Sequence, residues 1–368
     1  MTQQPHAMAA PGAEDCGTTV DLRSDTVTRP TPQMYDRIAS APLGDDGLDG
    51  DPTALELESE AARLLGKEAA LYVPSATMAN LLAILAQAGR QEVVLAEAAS
   101  HIYVTERGAA ALTGSFYQPV DGVDGAMDLG LLAQALAPGR NKLRTGLVCL
   151  ESSHNNAGGA VLPLSHMQAV FGAAKAAGAS VHLDGARLMN AAVALGVPAS
   201  GITAFADTVS LCLSKGLSAP MGAVLAGPAV TIQRARWHRK LLGGSQRQVG
   251  IAAAAGLVAI TTMVGRLADD HANARRLAHG IGQLQGLSAN LPQTNIVQVD
   301  VAASGHDAAW WEAELRKLGV LVRTWGRNRL RCVTHRHTGE PEIDTALKAF
   351  GIVAAQGGGV PPDECKTG

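Results

Sequence analysis

Short, fully apolar runs alternate with longer amphipathic stretches through the first three quarters of the chain. A helical stretch from Leu55 to Leu65 stops at Gly66, and the run Ala69-Ala70-Leu71-Tyr72-Val73 behind it predicts a buried strand. Comparable runs at Gly146 to Leu150, Val181 to Leu183, Thr208 to Leu213 and Ala223 to Ala226 predict further strands, with helices such as Pro163 to Ala177 between them. Strands without polar alternation are covered on both faces, so the alternation of strand and helix predicts an α/β domain around a mostly parallel sheet. Polar residues that follow the strands then gather at one edge, where α/β sheets place ligands.

After about Leu284 the rhythm changes. Strand (Asn295 to Val301), helix (Asp307 to Leu318), strand (Val320 to Arg323), strand (Leu330 to Val333) and helix (Glu340 to Val353) predict a small C-terminal α+β domain. The expected division is a loose tail over residues 1–18, a large domain over 19–284, a small domain over 285–356 and a second loose tail over 357–368, both tails being rich in Pro, Gly and polar residues.

Composition narrows this picture. Of 368 residues, 47% are hydrophobic but only 3% aromatic, so the core has to be packed from Ala, Val, Leu and Ile. A formal charge of −3 provides no general attraction for nucleic acid or anionic lipid, and neither is expected as a partner. The basic cluster Arg234, Arg236, Arg239 and Lys240 is read as the solvated face of a helix. The five cysteines, Cys16, Cys149, Cys212, Cys332 and Cys365, lack paired spacing, so reduced thiols and no metal site are expected. No signal-like apolar stretch opens the chain, and the run from Ile251 to Val264 is too short to span a bilayer, which leads to the expectation of a cytoplasmic protein.

Three strand ends carry chemistry. In Ser210-Leu211-Cys212-Leu213-Ser214-Lys215-Gly216 a lysine follows an apolar strand directly. Alone it reaches solvent as readily as it forms an imine with an aldehyde. In Val181-His182-Leu183-Asp184-Gly185-Ala186-Arg187 a second strand ends in a carboxylate, either a helix cap or a partner for a pyridinium nitrogen. The turn Pro74-Ser75-Ala76-Thr77 opens a helix whose free N–H groups and dipole suit a phosphate, as any well-capped helix start would. Lysine and aspartate on neighbouring strand ends are the more telling combination.

With these pieces in view, the chain resembles the threonine aldolase family from about Asp21 to Ile352. The matching segments are Asp21-Leu22-Arg23-Ser24-Asp25-Thr26-Val27-Thr28, Gly44-Asp45-Asp46, Ser100-His101-Ile102, Glu151 with His154-Asn155, His182 to Arg187, and Leu213-Ser214-Lys215-Gly216. The resemblance implies an aspartate-aminotransferase-like fold (fold type I), pyridoxal 5'-phosphate as cofactor, and a homodimer or homotetramer with active sites shared between subunits. It implies that Lys215 holds the cofactor as a Schiff base, that Asp184 meets its ring nitrogen, that His101 lies over the ring and that Ala76 and Thr77 bind its phosphate. Lys240 and Arg247 would reach a neighbouring subunit's phosphate. Ser24, Arg187 and Arg331 would form the substrate-carboxylate site, Arg187 lying beside cofactor and substrate alike, and His154 would face the β-hydroxyl.

The implied reaction is cleavage of L-threonine, L-allo-threonine or a related β-hydroxy-α-amino acid to glycine and an aldehyde, with His101 or His154 handling the hydroxyl proton. Racemisation or β-elimination on the same scaffold stays open, as does cofactor binding without turnover. Two departures bear on detail: Ala76 stands where the family usually has glycine, which predicts an adjusted phosphate loop, and Leu48 in Gly47-Leu48-Asp49-Gly50 stands where a tyrosine is common. An aliphatic wall at Leu48 predicts a preference for bulky apolar β-substituents.

Overall fold

The computed structural model describes residues 19–357, so both predicted tails, with Cys16 and Cys365, lie outside the described residues, apart from Gly357, which ends the helix Glu340–Gly357. Seven strands form the central sheet, in the order Ala69–Val73, Ala223–Gly227, Thr208–Cys212, Ser180–Gly185, Thr145–Glu151, Val93–Glu97, Phe116–Val120. Six run parallel in direction, and only Ala223–Gly227 runs against both its neighbours. The link from Cys212 to Ala223 is too short for a crossover helix, which leaves an antiparallel return as the available pairing. Val93–Glu97, Thr145–Glu151, Thr208–Cys212 and Ala223–Gly227 are buried at every position, as expected for strands with helices on both faces.

Two of these strands, Val93–Glu97 and Phe116–Val120, extend the expectation from sequence. Phe116–Val120 is an edge strand in which only Val120 is buried and Pro119 interrupts the pattern, so it has no apolar run to betray it. The others match closely. The predicted helices also form, one over Pro52–Leu64, where Asp51 caps the N-terminus by accepting from the Ala54 N–H at 3.0 Å, and one over Leu164–Ala176.

The chain has two principal cores, divided elsewhere than at residue 284. Helix Leu267–Ile281 places Ala274, Leu277, Ala278 and Ile281 in the small core beside Val297, Trp311 and Phe350, and Val20 and Leu22 belong to that core as well. Val20–Asp21 pairs in parallel with Val320–Leu321. The predicted strand Val320 to Arg323 is accordingly split: Val320–Leu321 serves this N-terminal pair, while Arg323–Thr324 joins the antiparallel sheet through Arg329–Val333. The N-terminal segment thus leaves the small domain at Leu22 and runs straight to the edge where both cores meet.

The basic helix also differs from expectation. On Ala229–Leu241, Arg239 is buried, donating to the Tyr72 carbonyl at 2.7 Å and to Asp46 at 2.5 Å, and Arg236 pairs with Glu58 at 2.6 Å. Opposite charges on the adjacent helix and loop claim this face, and only Arg234 and Lys240 of the cluster remain exposed.

Candidate active site

Because six strands share a direction, their C-terminal ends deliver Ser75 to Thr77, Ser100-His101, Glu151, Asp184 and Lys215 to one edge of the sheet. There a cavity of about 620 Å³ opens between the sheet edge and the small domain. Ser24, Ala76, Thr77, His101, Asp184, Arg187, Lys215 and Arg331 all line it, so eight of the sequence-derived site residues come together.

The backbone of Lys215 is held from several sides. Leu213 N–H donates to the Gly222 carbonyl and Ala219 N–H to the Leu213 carbonyl, each at 3.0 Å, while the Lys215 carbonyl accepts from Ser218 N–H at 2.8 Å and from Thr28 Oγ1 at 2.9 Å. Ser218 pays for this turn with a left-handed φ of 66°.

Asp184 is 2% exposed, and both carboxylate oxygens are engaged: Oδ2 accepts from Asn80 Nδ2 at 2.9 Å and Oδ1 from Ala186 N–H at 3.0 Å. Asn80 is itself oriented by the sheet. Its Oδ1 accepts from Ser210 Oγ at 2.9 Å and meets His182 Nε2 at 3.0 Å, and His182 Nδ1 meets Thr208 Oγ1 at 2.9 Å. Burial pushes His182 down to about 4, so it is neutral and its Nε2–H is the donor to Asn80. This buried chain leaves Asn80 a single useful orientation, its amide aimed at Asp184.

On the substrate side, Arg187 forms a bidentate pair with buried Asp25, at 2.8 and 2.6 Å, which holds Asp25 well below the usual carboxylate range against the cost of its burial. Arg331 donates to Asn155 Oδ1 at 2.8 Å and to the Arg23 carbonyl at 3.1 Å, and its buried Nε has no partner. Burial, and then the nearby Arg187, push Arg331 down to about 10. Its guanidinium carbon lies 4.3 Å from the Trp325 ring centroid, a cation–π contact that braces the fork from the hairpin.

Three predicted residues do not reach this cavity. His154 is wholly buried: Nε2 sits 3.0 Å from Glu97 Oε2, and Nδ1 accepts from Ala157 N–H at 3.2 Å. Both ring nitrogens are occupied by protein, so a contact with a β-hydroxyl is not made from this position. Lys240 is exposed on its helix, and Arg247, 70% exposed, lies 3.3 Å from Asp45. Leu48 is 78% exposed and lies outside the cavity too. Ala76 fits without strain, being the first residue of helix Ala76–Gln87 and absent from the non-glycine residues with positive φ.

The residues present suit pyridoxal phosphate. The cavity combines a lysine amine, a fixed carboxylate at a strand end, helix N–H groups at Ala76 and Thr77 without intrahelical acceptors, and an arginine whose buried Nε is unsatisfied. Glu106 and Trp325 also line it and were not singled out from sequence. Glu106 carries a faint signal, five positions after His101 where a short helix ends. Trp325 depends on a hairpin register that sequence does not display.

The profile of the beta-eliminating lyase family matches residues 21–304. A probable low-specificity L-threonine aldolase 2 of Arabidopsis thaliana is 42% identical over 342 residues, 90% of this chain and 96% of that protein. The low specificity L-threonine aldolase of Escherichia coli K12 is 39% identical over 339 residues, covering 91% and 97%. The solved Leishmania major threonine aldolase aligns with a TM-score of 0.79 at 19% identity, over 91% of this chain and 99% of that one.

Proposed function

The chain belongs to the beta-eliminating lyase family and, within it, to the threonine aldolases, and on that premise we propose that it cleaves β-hydroxy-α-amino acids to glycine and an aldehyde with pyridoxal phosphate. L-threonine and L-allo-threonine are the substrates proposed first. The observation that carries the reading is the meeting, in one cavity, of Lys215 and Asp184 with Arg331, whose buried Nε has no partner.

When bound, pyridoxal phosphate supplies an aldehyde that an amine can capture and a ring that takes up the electrons released as Cα–Cβ breaks. Lys215 would hold the aldehyde carbon, Asp184 the ring nitrogen, and Ala76 with Thr77 the phosphate. Arg331, supported by Arg187 and Ser24, would fix the α-carboxylate; a planar fork suits that task better than an ammonium. His101 reaches the cavity, so it would accept the β-hydroxyl proton, directly or through one water, as the carbonyl forms. His154, with both nitrogens occupied, would support Glu97 and the Ala157 backbone from behind.

Incubation with L-threonine tests the reading: glycine and acetaldehyde in equal amounts support it. An inverted enantiomer would assign a racemase, and a keto acid with ammonia a β-eliminating lyase.

We further propose a homodimer or homotetramer. Tyr35, Leu55 and Ile251 are exposed on helices Pro32–Ala39, Pro52–Leu64 and Gly250–Thr262, which pack together, Leu43 on the loop beside them, and Trp237 and Leu241 on Ala229–Leu241, which is tied to Pro52–Leu64 by the Arg236–Glu58 pair. An apolar surface of this kind favours a second copy. Lys240, Arg247 and Leu48, all outside their own cavity, would act across that interface. A reducing cytoplasmic setting is proposed as well, and suits the three buried free thiols Cys149, Cys212 and Cys332.

A further inference from the structure

Glu106 is a buried carboxylate in the cavity to which none of the steps above assigns a task. It follows the short helix His101–Val104, and its side chain is 8% exposed. Oε1 lies 2.7 Å from His101 Nδ1 and accepts from Thr77 Oγ1 at 3.1 Å, and the Asn80 amide approaches both carboxylate oxygens at 3.3 to 3.4 Å. Glu106 therefore touches the residue beside the cofactor ring, the residue at the phosphate turn and the residue that orients Asp184.

We infer that Glu106 is a positioning residue: its carboxylate keeps the His101 proton on Nδ1, leaves the Nε2 lone pair for the cavity, and ties that ring to the Thr77 turn. An ionised carboxylate only accepts, so His101 Nδ1 must be the donor in this contact. Nε2 is then the ring nitrogen available to take a proton. The backbone supports the same placement, because His101 N–H donates to Glu151 Oε2 at 2.6 Å and so fixes the start of the helix that carries the ring.

The groups that face His101 are Glu106 from the following turn, Asp184 from strand Ser180–Gly185 and Glu151 from strand Thr145–Glu151, all acids; Lys215 is the lysine of the same cavity. The hydrogen bond to Glu106 raises the His101 pKa above its ordinary value, against the effect of burial, and the charges of Glu106, Asp184 and Glu151 add to it. Glu106 is thus the acid whose removal moves His101 furthest, and a neutral amide in its place keeps the shape while losing the charge.

The test uses the holoenzyme with ¹⁵N-labelled histidine, the His101 signal being assigned by its loss in His101→Gln. In the parent, at a pH above the His101 titration, Nδ1 should carry the proton of the neutral ring. In Glu106→Gln the His101 titration should fall by about one pH unit, a roughly tenfold loss of proton affinity, while Glu106→Asp, which keeps the charge, should restore part of it. The acidic limb of the kcat/KM profile should move to lower pH by the same amount, because the weaker base stays unprotonated, and so able to accept a proton, down to a lower pH. Pyridoxal phosphate, followed by its visible absorbance, should bind Glu106→Gln several-fold more weakly through the loosened Thr77 turn. An unchanged His101 titration in Glu106→Gln, or a neutral parent ring protonated on Nε2, overturns the inference. This arm uses no substrate, so it judges Glu106 even if the aldolase reading, on which the kcat/KM arm rests, were to fail. Should Glu106→Gln fail to fold, the titration of Glu106→Asp decides: a pKa between the parent value and that of free histidine supports the assignment, and the parent value overturns it.

Discussion

At Asp184 the structure shows how much machinery surrounds one carboxylate: Asn80, oriented by His182 and Ser210, donates to one oxygen and the Ala186 N–H to the other. Asp184→Asn keeps the volume but puts an amide N–H against one of those donors and removes the charge that would hold a ring nitrogen protonated. The variant should fold with near-normal Tm and lose most turnover, by a hundredfold or roughly 3 kcal/mol of transition-state stabilisation. Rates within a factor of three of the parent would give this task to another residue. Arg331 offers a different signature. Arg331→Leu should raise KM for amino acids, with a loss of roughly 2–5 kcal/mol, and leave the cofactor absorbance unchanged. Trp325→Ala should act on the same parameter more mildly, since a cation–π brace is worth about 0.5–2 kcal/mol, or a two- to thirtyfold rise in KM with kcat preserved. A fall in kcat alone would mean that Trp325 does not act through Arg331. At this scale sequence was a good guide where a residue directly follows an apolar strand, as Lys215 and Asp184 do. It was a poor one where a side chain acts from a neighbouring turn, as Glu106 does, or across a hairpin, as Trp325 does.

The elements explain the precision of the site. Strand Ser180–Gly185 ends in a glycine because a Cβ at Gly185 would collide with the Ser210 carbonyl oxygen of the adjoining strand. Gly185→Ala should push those strands apart at the point where Asp184 is aimed, costing about 1–3 kcal/mol, visible as a lowered Tm and a reduced cofactor affinity. A Tm equal to the parent's would show that the strands accommodate the methyl. Of the fully buried strands, Thr145–Glu151, Thr208–Cys212 and Ala223–Gly227 were legible as apolar runs, whereas Val93–Glu97, no less buried, was not picked out. The edge strand Phe116–Val120 was not, since one face meets solvent and Pro119 breaks the pattern. The split of Val320 to Arg323 into two pairings was equally hidden, because it depends on the distant Val20–Asp21 arriving beside it.

For the whole molecule, composition and rhythm predicted two unequal domains but not their seam. The helix Leu267–Ile281 and the residues Val20 and Leu22 pack with the small core, and the N-terminal segment continues to the two arginines, its Arg23 carbonyl accepting from Arg331 and its Asp25 pairing with Arg187. Long-range pairing of this kind leaves no local mark in sequence. The proposed assembly adds a second nonlocal feature. If Leu48 meets substrate across an interface, phenylserine should have a higher specificity constant than threonine, since an aliphatic wall favours buried apolar surface by about 25 cal/mol per Å². Leu48→Tyr should then move the ratio back toward threonine, and an unchanged ratio would show that Leu48 touches no substrate. Whether Lys215 and Asp184 serve carbon–carbon cleavage is decided by the product balance from L-threonine in the parent and in Lys215→Ala. Glycine and acetaldehyde are expected in equal amounts from a yellow parent enzyme, and neither the colour of the bound imine nor more than a trace of product from the variant. Cleavage by Lys215→Ala at the parent's rate, or a parent that turns over threonine without releasing glycine, would contradict that role.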